Sequence, residues 1–410
     1  MIGHLKINVF KGDVGSPCPD SQVTIKSVGT EGNTVEEAIT DSSGQTDIFN
    51  LEAPPVDYSL EPQAPKPYSE YTITVIQEGF ESVTINGIQI LADVIAEQNV
   101  FMKPSTQQTQ NQDTEKLVFR IPEHTLYGEY PSKIAESDVK PLPAATGFVV
   151  LKEPVVPEFI IVHDGGPSDN TAPNYWVPYK DYIKNVASSE IYATWPAECI
   201  KANILAIISF TLNRVYTEWY RSRGHNFTIT SSTAYDHKFI YQRNIFTEIS
   251  QIVDDIFATY VTRPNIEQPL FTQYCDGVKV TCPNWLTQWG SKDLADDGED
   301  YLNILRTFYG TNIYLETANE ILGIPSSYKG EVLQVGSRND EVRTIQNQLN
   351  AISKNYPAIQ KISVDGVYGN GTMEAVKKFQ GIFGLPQTGS VDYATWYEIS
   401  KIYTAVQKLA

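Results

Sequence analysis

Over residues 5–103 apolar and polar positions alternate with a period of two. Leu5-Lys6-Ile7-Asn8-Val9, Val23-Thr24-Ile25 and Tyr71-Thr72-Ile73-Thr74-Val75 each place their apolar side chains on one face, the pattern of half-buried strands. Gly12-Asp13, Asp41-Ser42-Ser43-Gly44 and Glu78-Gly79-Phe80 separate the runs with turn-forming residues. Together they predict an all-β sandwich over 1–103. Residues 104–115, PSTQQTQNQDTE, are polar, Gln-rich and without period, so they cannot bury a core and read as a linker. From 117 to 160, prolines and mixed apolar pairs predict extended chain leading into a second unit.

Beyond that point the period changes. Glu158-Phe159-Ile160-Ile161-Val162-His163 reads as a buried strand. Tyr179, Tyr182, Ile183 and Val186 stand at helical spacing, predicting a helix over 178–190 whose apolar stripe ends on Glu190. A second helix is expected from Thr194-Trp195-Pro196. Thr194 would be its N-cap, Pro196 is tolerated in the first turn, and Glu198 suits the positive end. Its stripe runs Ile200, Ile204, Ile207, Leu212, Val215. Further helices are expected over 245–260 and 290–309. In 331–410, Val342, Ile345, Leu349 and Ile352 form one helix stripe. Ser363 to Gly369 reads as a strand and turn, Thr372 as the cap of a helix carrying Ala375, Val376 and Phe379, and a last helix follows Asp392. The expected architecture is multidomain α+β: a sandwich over 1–103, a linker over 104–115, a central α+β domain over 116–328 and a small helical module over 329–410.

Composition narrows the chemistry. The 410 residues carry a net charge of -18, which argues against nucleic acid as a partner, because phosphate backbones are held by clustered Lys and Arg. The charge is uneven: residues 1–103 hold 15 acids and 5 bases, whereas 331–410 hold 7 acids and 8 bases. Such asymmetry fits separate units. Tyr is abundant, at 24 residues, and flat rings with wet hydroxyls suit sugar polymers. No run approaches the ~18 apolar residues of a membrane span, and the first residues lack the pattern of an ordinary signal peptide. Cys275 and Cys282 lie seven apart and are open to a disulfide, two buried thiols, or half a zinc site completed by His225 or His237. His163-Asp164 at a strand end is read as structural rather than as a metal or acid/base pair.

The third unit carries the densest motif. Leu333, Gly336-Ser337, Val342, Ile345-Gln346, Leu349, Asp365-Gly366, Tyr368-Gly369, Thr372, Ala375-Val376, Phe379-Gln380, Gly384-Leu385, Gly389, Val391-Asp392 and Thr395-Trp396 resemble the peptidoglycan-binding module. The resemblance implies a small helical fold and peptidoglycan as partner, with Asp365, Tyr368, Gln380 and Trp396 as groove candidates. In the first unit, Pro19 to Ile25, Thr40 to Gly44 and Tyr71 to Phe80 resemble the transthyretin-like, carboxypeptidase-regulatory sandwich, which implies a fold and no chemistry.

Two motifs in the middle resemble the stage II sporulation protein D family. The first is Tyr182-Ile183, Val186-Ala187, Glu190-Ile191, Trp195-Pro196, Glu198 and Lys201-Ala202. The second is Gln288-Trp289-Gly290, Leu294-Ala295, Gly298, Tyr301, Ile304-Leu305 and Phe308-Tyr309-Gly310. Residues 272–279 and 203–212 depart from the family pattern. The order of the three units resembles the clostridial spore cortex-lytic enzymes. That resemblance implies a germination enzyme of the cortex and coat region, outside the spore core. It also implies a zymogen whose 1–103 pro-segment a subtilisin-like germination protease removes by cutting between about 104 and 150.

A lytic transglycosylase breaks the MurNAc–GlcNAc bond with the substrate's own C6 hydroxyl and leaves a 1,6-anhydro end. One acid/base can therefore suffice, whereas hydrolases that use water normally need two carboxylates. Glu190 fits the single role, since a carboxyl on an apolar stripe loses solvation and its pKa rises. Trp195, Tyr241, Gln273, Tyr274, Asp276, Gln288 and Trp289 are the expected substrate-binding residues. No metal or cofactor is expected. An N-acetylmuramoyl-L-alanine amidase and a noncatalytic cortex-binding scaffold are the alternatives.

Overall fold

The strands that alternation predicts form because every second side chain reaches one interior. They are β1 (Ile2–Lys11), β2 (Gln22–Ser27), β3 (Thr34–Ile39), β4 (Phe49–Glu52), β5 (Tyr68–Ile76), β6 (Ser82–Leu91) and β7 (Ile95–Met102), followed past the linker by β8 (Lys116–Arg120). Leu5, Ile7, Val9, Val23, Ile25, Ile73, Val75, Val83 and Ile85 are buried between the sheets. The computed structural model describes residues 1–28, 34–105, 116–141 and 153–407, so most of the expected linker lies outside the described residues.

The central region contains β9 (Val155–Val156), β10 (Phe159–His163), β11 (Asn174–Pro178), α1 (Tyr179–Glu190), α2 (Ala197–Tyr216), β12 (Ile229–Thr230), β13 (Ile245–Phe246) and α3 (Thr247–Ile256). It continues through β14 (Thr259–Thr262), β15 (Tyr274–Cys275), β16 (Leu286–Thr287), α4 (Gln288–Asp296), α5 (Tyr301–Tyr309), β17 (Tyr314–Thr317) and β18 (Glu320–Ile321). The long helix α2 is its axis and packs against α1, α3, α4, α5 and β14. Two expectations about helix ends change. Thr194 does not cap α2: the capping position is Pro196, and the Thr194 hydroxyl lies 2.7 Å from that of Ser59 in the sandwich. The single helix expected over 290–309 is two, because the chain turns through Gly298 at φ +92° and Asp300 caps α5 by accepting from the Asn303 amide at 2.8 Å.

The sandwich and the central region share sheets. One sheet runs β13-β7-β1-β4 and the other β3-β2-β5-β6-β8. β13 pairs antiparallel with β7 through Ile245–Glu97 and Phe246–Ala96, and β8 pairs parallel with β6. The structural edge of the sandwich is therefore at residue 120 rather than 103, and a strand from beyond residue 240 completes it.

The C-terminal module is α6 (Asp340–Ile352), α7 (Asn370–Ile382) and α8 (Tyr393–Gln407). Residues 363–369 form a turn rather than a strand, tied by the single bridge Arg338–Val367, and Thr372 sits inside α7, whose N-cap is Gly369. A buried charge cluster docks α8 on α1 and α3. Lys180 lies 2.7 Å from Glu398 and 2.8 Å from Asp254, Lys184 2.7 Å from Asp254, and Lys401 2.8 Å from Asp181. Asn355 donates to the Gly15 carbonyl at 2.6 Å and Gln45 to the Ile382 carbonyl at 2.7 Å, so the module also touches the sandwich.

Candidate active site

Glu190 is the last residue of α1, and its side chain is 3 % exposed. Oε1 accepts the backbone amide of Lys238 at 2.6 Å, and Oε2 accepts the hydroxyl of Tyr274. The Gln288 side chain donates to the Glu190 carbonyl at 2.9 Å, satisfying one of the acceptors a helix leaves open at its C-terminal end. Burial pushes the Glu190 carboxyl above the usual carboxylate range, and the Lys133 ammonium, the Tyr274 hydroxyl and the Lys238 amide oppose it without cancelling it.

Tyr274 is held in place from several sides. β15 pairs parallel with β16. The adjacent Cys275 is disulfide-bonded to Cys282, which resolves the alternatives left open for that pair. The Tyr274 ring stacks on His237 at 5.7 Å between centroids, and His237 Nδ1 shares a 3.0 Å hydrogen bond with the Tyr182 hydroxyl. Burial holds His237 neutral, well below its ordinary pKa. The neighbouring carboxylate, Asp236, is fully occupied. It accepts from Arg214 Nε, the Tyr220 hydroxyl and the Thr230 hydroxyl, each at 2.7 Å, and from the Thr230 amide at 2.9 Å. Glu190, by contrast, accepts one donor on each carboxyl oxygen.

A strap of irregular chain, residues 121–141, runs across this site. Thr125 donates to the Ser189 carbonyl through its amide at 3.2 Å and its hydroxyl at 3.1 Å. Lys133 reaches in to bond the Asp236 carbonyl, with its ammonium 4.8 Å from the Tyr274 ring centre. Gln273 grips the strap at both ends of its amide, accepting from the Glu136 amide and donating to the Ile134 carbonyl, each at 2.8 Å. Glu136 forms a forked ion pair with Arg214, at 2.7 and 3.1 Å, and Lys279 bonds the carbonyls of Tyr127 and Gly128. Lys133 and Tyr130 of the strap stand close enough to Glu190 for their groups and its carboxyl to act on each other.

The remaining expected site residues divide. Tyr274, Gln273 and Gln288 gather at Glu190 or at the chain covering it. Tyr241 is half-buried and stacks on Tyr175 at 4.1 Å, with Phe119 of β8 edge-on. Trp195 does not line an open cleft: it is buried, donates to the Ser59 carbonyl at 2.8 Å and packs on Trp289 at 4.9 Å. Asp276 shapes its own turn, accepting from the amides of Val278, Lys279 and Val280 at 2.8–3.2 Å.

The module's groove candidates are corrected likewise. Tyr368, Gln380 and Trp396 are buried, so they cannot line a groove. Tyr368 donates to the Gly389 carbonyl at 3.0 Å, Gln380 ties down the 388–390 turn, and Trp396 donates to the Ser326 carbonyl at 3.0 Å. Asp365 is exposed but accepts from Gln346 and from the Val367 amide, both at 2.9 Å, to hold its turn. His163 bonds Asn174 at 2.8 Å and stacks on Phe227, a structural setting. Among the described residues no group of three or more His, Cys, Asp and Glu could hold a metal ion, and no helix is long and apolar enough to cross a membrane.

Lys133, Lys238 and Arg243 were not expected at the site. Lys238 acts through its backbone amide, which any residue possesses. The expectation of extended chain before residue 160 was the sequence signal for the strap, but it did not say what the strap covers.

Fold and site thus define a mixed α+β multidomain protein with a sheet-rich N-terminal region and a helical peptidoglycan-binding domain at its C-terminus. Residues 338–399 match the family described as "Putative peptidoglycan binding domain". No curated protein matches the chain. Among solved structures, the chain is similar to the SleB N-terminal domain, at 31% identity over 19% of this chain and 99% of that one, with a TM-score of 0.17. It is similar to Klebsiella pneumoniae 5-hydroxyisourate hydrolase at 15% identity over 25% and 90% of the two chains, TM-score 0.18. It is also similar to catechol 1,2-dioxygenase from Acinetobacter sp. ADP1 at 13% identity over 29% and 58%, TM-score 0.19.

Proposed function

We propose that the chain is a peptidoglycan lytic transglycosylase of the spore cortex, made as a zymogen and acting in germination. The observation that carries this reading is a buried carboxyl, Glu190, whose pKa is raised by burial and which hydrogen-bonds to a tyrosine, in a chain that carries a peptidoglycan-binding domain. A group that holds its proton above the ordinary carboxylate range is suited to general acid catalysis. Glu190 protonates the oxygen leaving C1 of the MurNAc residue. Its carboxylate then takes the proton of the C6 hydroxyl as that oxygen bonds to C1, and the 1,6-anhydro ring closes with Glu190 reprotonated. Tyr274 steadies the carboxylate between the two transfers. The saturation of Asp236 by its four donors favours this one-carboxyl route over hydrolysis, which normally uses two.

Because the strap covers Glu190, the intact chain is the precursor in this reading. A subtilisin-like protease cutting between about 104 and 150 frees the strap. The sandwich completes sheets with the central region, so the strap rather than the sandwich is the part that has to leave. The choice of cortex, and a location outside the spore core, rest on the resemblance to the spore cortex-lytic enzymes.

The test is a digest of cortex peptidoglycan by protease-treated wild type and by protease-treated Glu190→Gln, read by mass spectrometry. Anhydro-muropeptides from the wild type alone are expected. Released stem peptide would instead identify an amidase, and equal lysis by Glu190→Gln would remove Glu190 from the chemistry.

A further inference from the structure

Arg243 is a buried cation that forms no ion pair among the described residues. Its side chain lies beneath the first part of the strap, at 4 % exposure. One of its nitrogens, Nη2, donates to Gln89 Oε1 at 3.0 Å, while Nε and Nη1 have no acceptor among the described residues. The ionisable neighbours that favour its charge are three phenols, Tyr68, Tyr130 and Tyr192, and burial pushes each of these above its ordinary range, so all three are neutral at physiological pH. The nearest aromatic face is Phe246, 5.8 Å from the guanidinium carbon. Burial drives the Arg243 pKa down to about 9, still charged at neutral pH. An unpaired buried charge is strongly unfavourable, and such groups are normally paired or hydrogen-bonded throughout. Elsewhere in this chain that rule is kept: Arg214, equally buried, has both Asp236 and Glu136.

The setting of Arg243 is rigid. Gln89, which takes its one hydrogen bond, is itself held by Asn244 through two bonds of 3.2 and 3.1 Å and donates to the strap carbonyl of Pro122 at 3.0 Å. His124 of the strap, beside Arg243, is kept neutral by burial and by that charge, and its ring reaches the carbonyl of Ile191, the residue after Glu190, at 3.3 Å. Tyr130 of the strap feels both Arg243 and Glu190. One stretch of strap, Pro122–Tyr130, therefore lies over the guanidinium and the candidate acid together, and two of the side chains around the guanidinium, His124 and Tyr130, leave with it.

We propose that Arg243 is a binding site for a carboxylate of the substrate's muramyl unit, uncovered when the strap leaves. The inference rests on the reading of this cleft as a peptidoglycan site. The sugar rings of the polymer are uncharged, so its anions are the lactyl carboxyl of a muramyl unit without a peptide and the carboxyl groups of the stem peptide where one is attached. Nε and Nη1 have no acceptor and Nη2 uses only one of its two N–H groups on Gln89, so the remaining Nη2 N–H can pair with Nε (side-on) or with Nη1 (end-on) to take a carboxylate through two parallel hydrogen bonds. Arg243 would position the muramyl residue beside Glu190 and exclude a glycan unit without that acid.

Two measurements test this. In the intact full chain, Arg243→Gln removes an uncompensated cation while keeping a polar contact to Gln89, so the melting temperature is expected to hold or rise; a fall of several degrees overturns the proposal by making Arg243 a structural residue. After limited subtilisin cleavage, calorimetric titration with N-acetylmuramic acid, muramyl dipeptide and N-acetylglucosamine compares a lactyl carboxylate, peptide carboxylates and none. At least tenfold tighter binding of one or both acids than of N-acetylglucosamine is expected, lost in Arg243→Gln and partly kept in Arg243→Lys. Which acid binds identifies the carboxylate, whereas equal binding of all three, or undiminished binding by Arg243→Gln, overturns the proposal. Glu190→Gln should retain this binding while losing cleavage, so the carboxylate site and the cleavage reaction can fail separately.

Discussion

Tyr274→Phe removes one oxygen from the candidate site and leaves the ring that stacks on His237. That oxygen donates to Glu190 Oε2, and the negative charge it faces exists only after Glu190 has given up its proton. The bond is therefore stronger late in the first proton transfer than before it, which is the condition for an interaction to accelerate a reaction. A hydrogen bond to a charged group contributes about 1.5–3 kcal/mol, so at 1.36 kcal/mol per decade the variant should turn over roughly 10- to 150-fold more slowly, with little change in KM. The pH profile supplies an independent sign. Tyr274 favours the ionised carboxyl and so lowers the Glu190 pKa. Without it the pKa rises further, the proton-bearing form survives to higher pH, and the alkaline limb of activity moves upward. The assay is release of anhydro ends from peptidoglycan by protease-treated protein across pH. An unchanged rate, or a limb displaced to lower pH, would refute the role given to Tyr274.

Three further outcomes are expected. Lys133→Met removes the strap's only ammonium near Glu190 and its bond to the Asp236 carbonyl; loss of a charged hydrogen bond of about 1.5–3 kcal/mol should speed proteolysis within 121–141 by tenfold or more where opening is faster than cleavage, and an unchanged rate tells against Lys133 as an anchor. Burial raises the Glu398 pKa, but Lys180, Lys401 and Lys184 outweigh it and hold the carboxyl well below its ordinary value. Its stabilising contribution is thus present above an unfolded pKa of about 4.3 and is lost as pH falls below it. Glu398→Gln should show that loss already at neutral pH, at about 3–5 kcal/mol, as faster hydrogen exchange in α1 and α8; protection unchanged at both pH values would contradict it. Reducing Cys275–Cys282, or Cys282→Ser, reopens a loop of sequence separation 7 and should cost about 2.5 kcal/mol by chain entropy, seen as a lower denaturant midpoint for the central region.

Much of the fold was legible because it is local. Period-two runs marked β1, β2 and β5, and the stripe from Tyr179 to Val186 marked α1 to within a residue. What escaped was non-local. Ile245-Phe246 is too short to carry a period, yet as β13 it extends a sheet begun at residue 2. The break between α4 and α5 was hidden because Leu294, Tyr301, Ile304 and Leu305 keep a plausible helical stripe across it. Gly298 takes a left-handed turn there, a conformation glycine adopts at little cost, and Asp300 restarts the helix.

The module's groove was misread for a different reason. Tyr368, Gln380 and Trp396 are prominent in the motif because they hold turns shut and seal the core, roles that demand particular residues as strictly as ligand binding does. The polar Gln380 is the clearest instance. It is fully buried, and its amide donates to the Ser390 carbonyl and accepts from the Gly389 amide, each at 2.9 Å. Gln346 does the same for the 365–367 turn, donating to the Val367 carbonyl and accepting from the Gly366 amide. A buried glutamine that bridges two backbone groups of a turn explains the repeated Gln by geometry alone.

The catalytic candidate was legible for the opposite reason: no backbone group depends on the Glu190 carboxyl except Lys238, and helical spacing alone puts it on a buried stripe. Its partners were legible only in part, because each acts through something a sequence does not display. Lys238 contributes an amide, Asp236 is removed from consideration by the four donors it satisfies, and Gln273 grips a segment more than a hundred residues earlier in the chain. The same strap hides Arg243, whose significance lies in acceptors it lacks. A missing partner leaves no motif. It becomes visible only when the neighbours of the guanidinium are in place and, among the described residues, none of them forms an ion pair with it, which is why the residue most informative about the substrate's charge was the one that no pattern singled out.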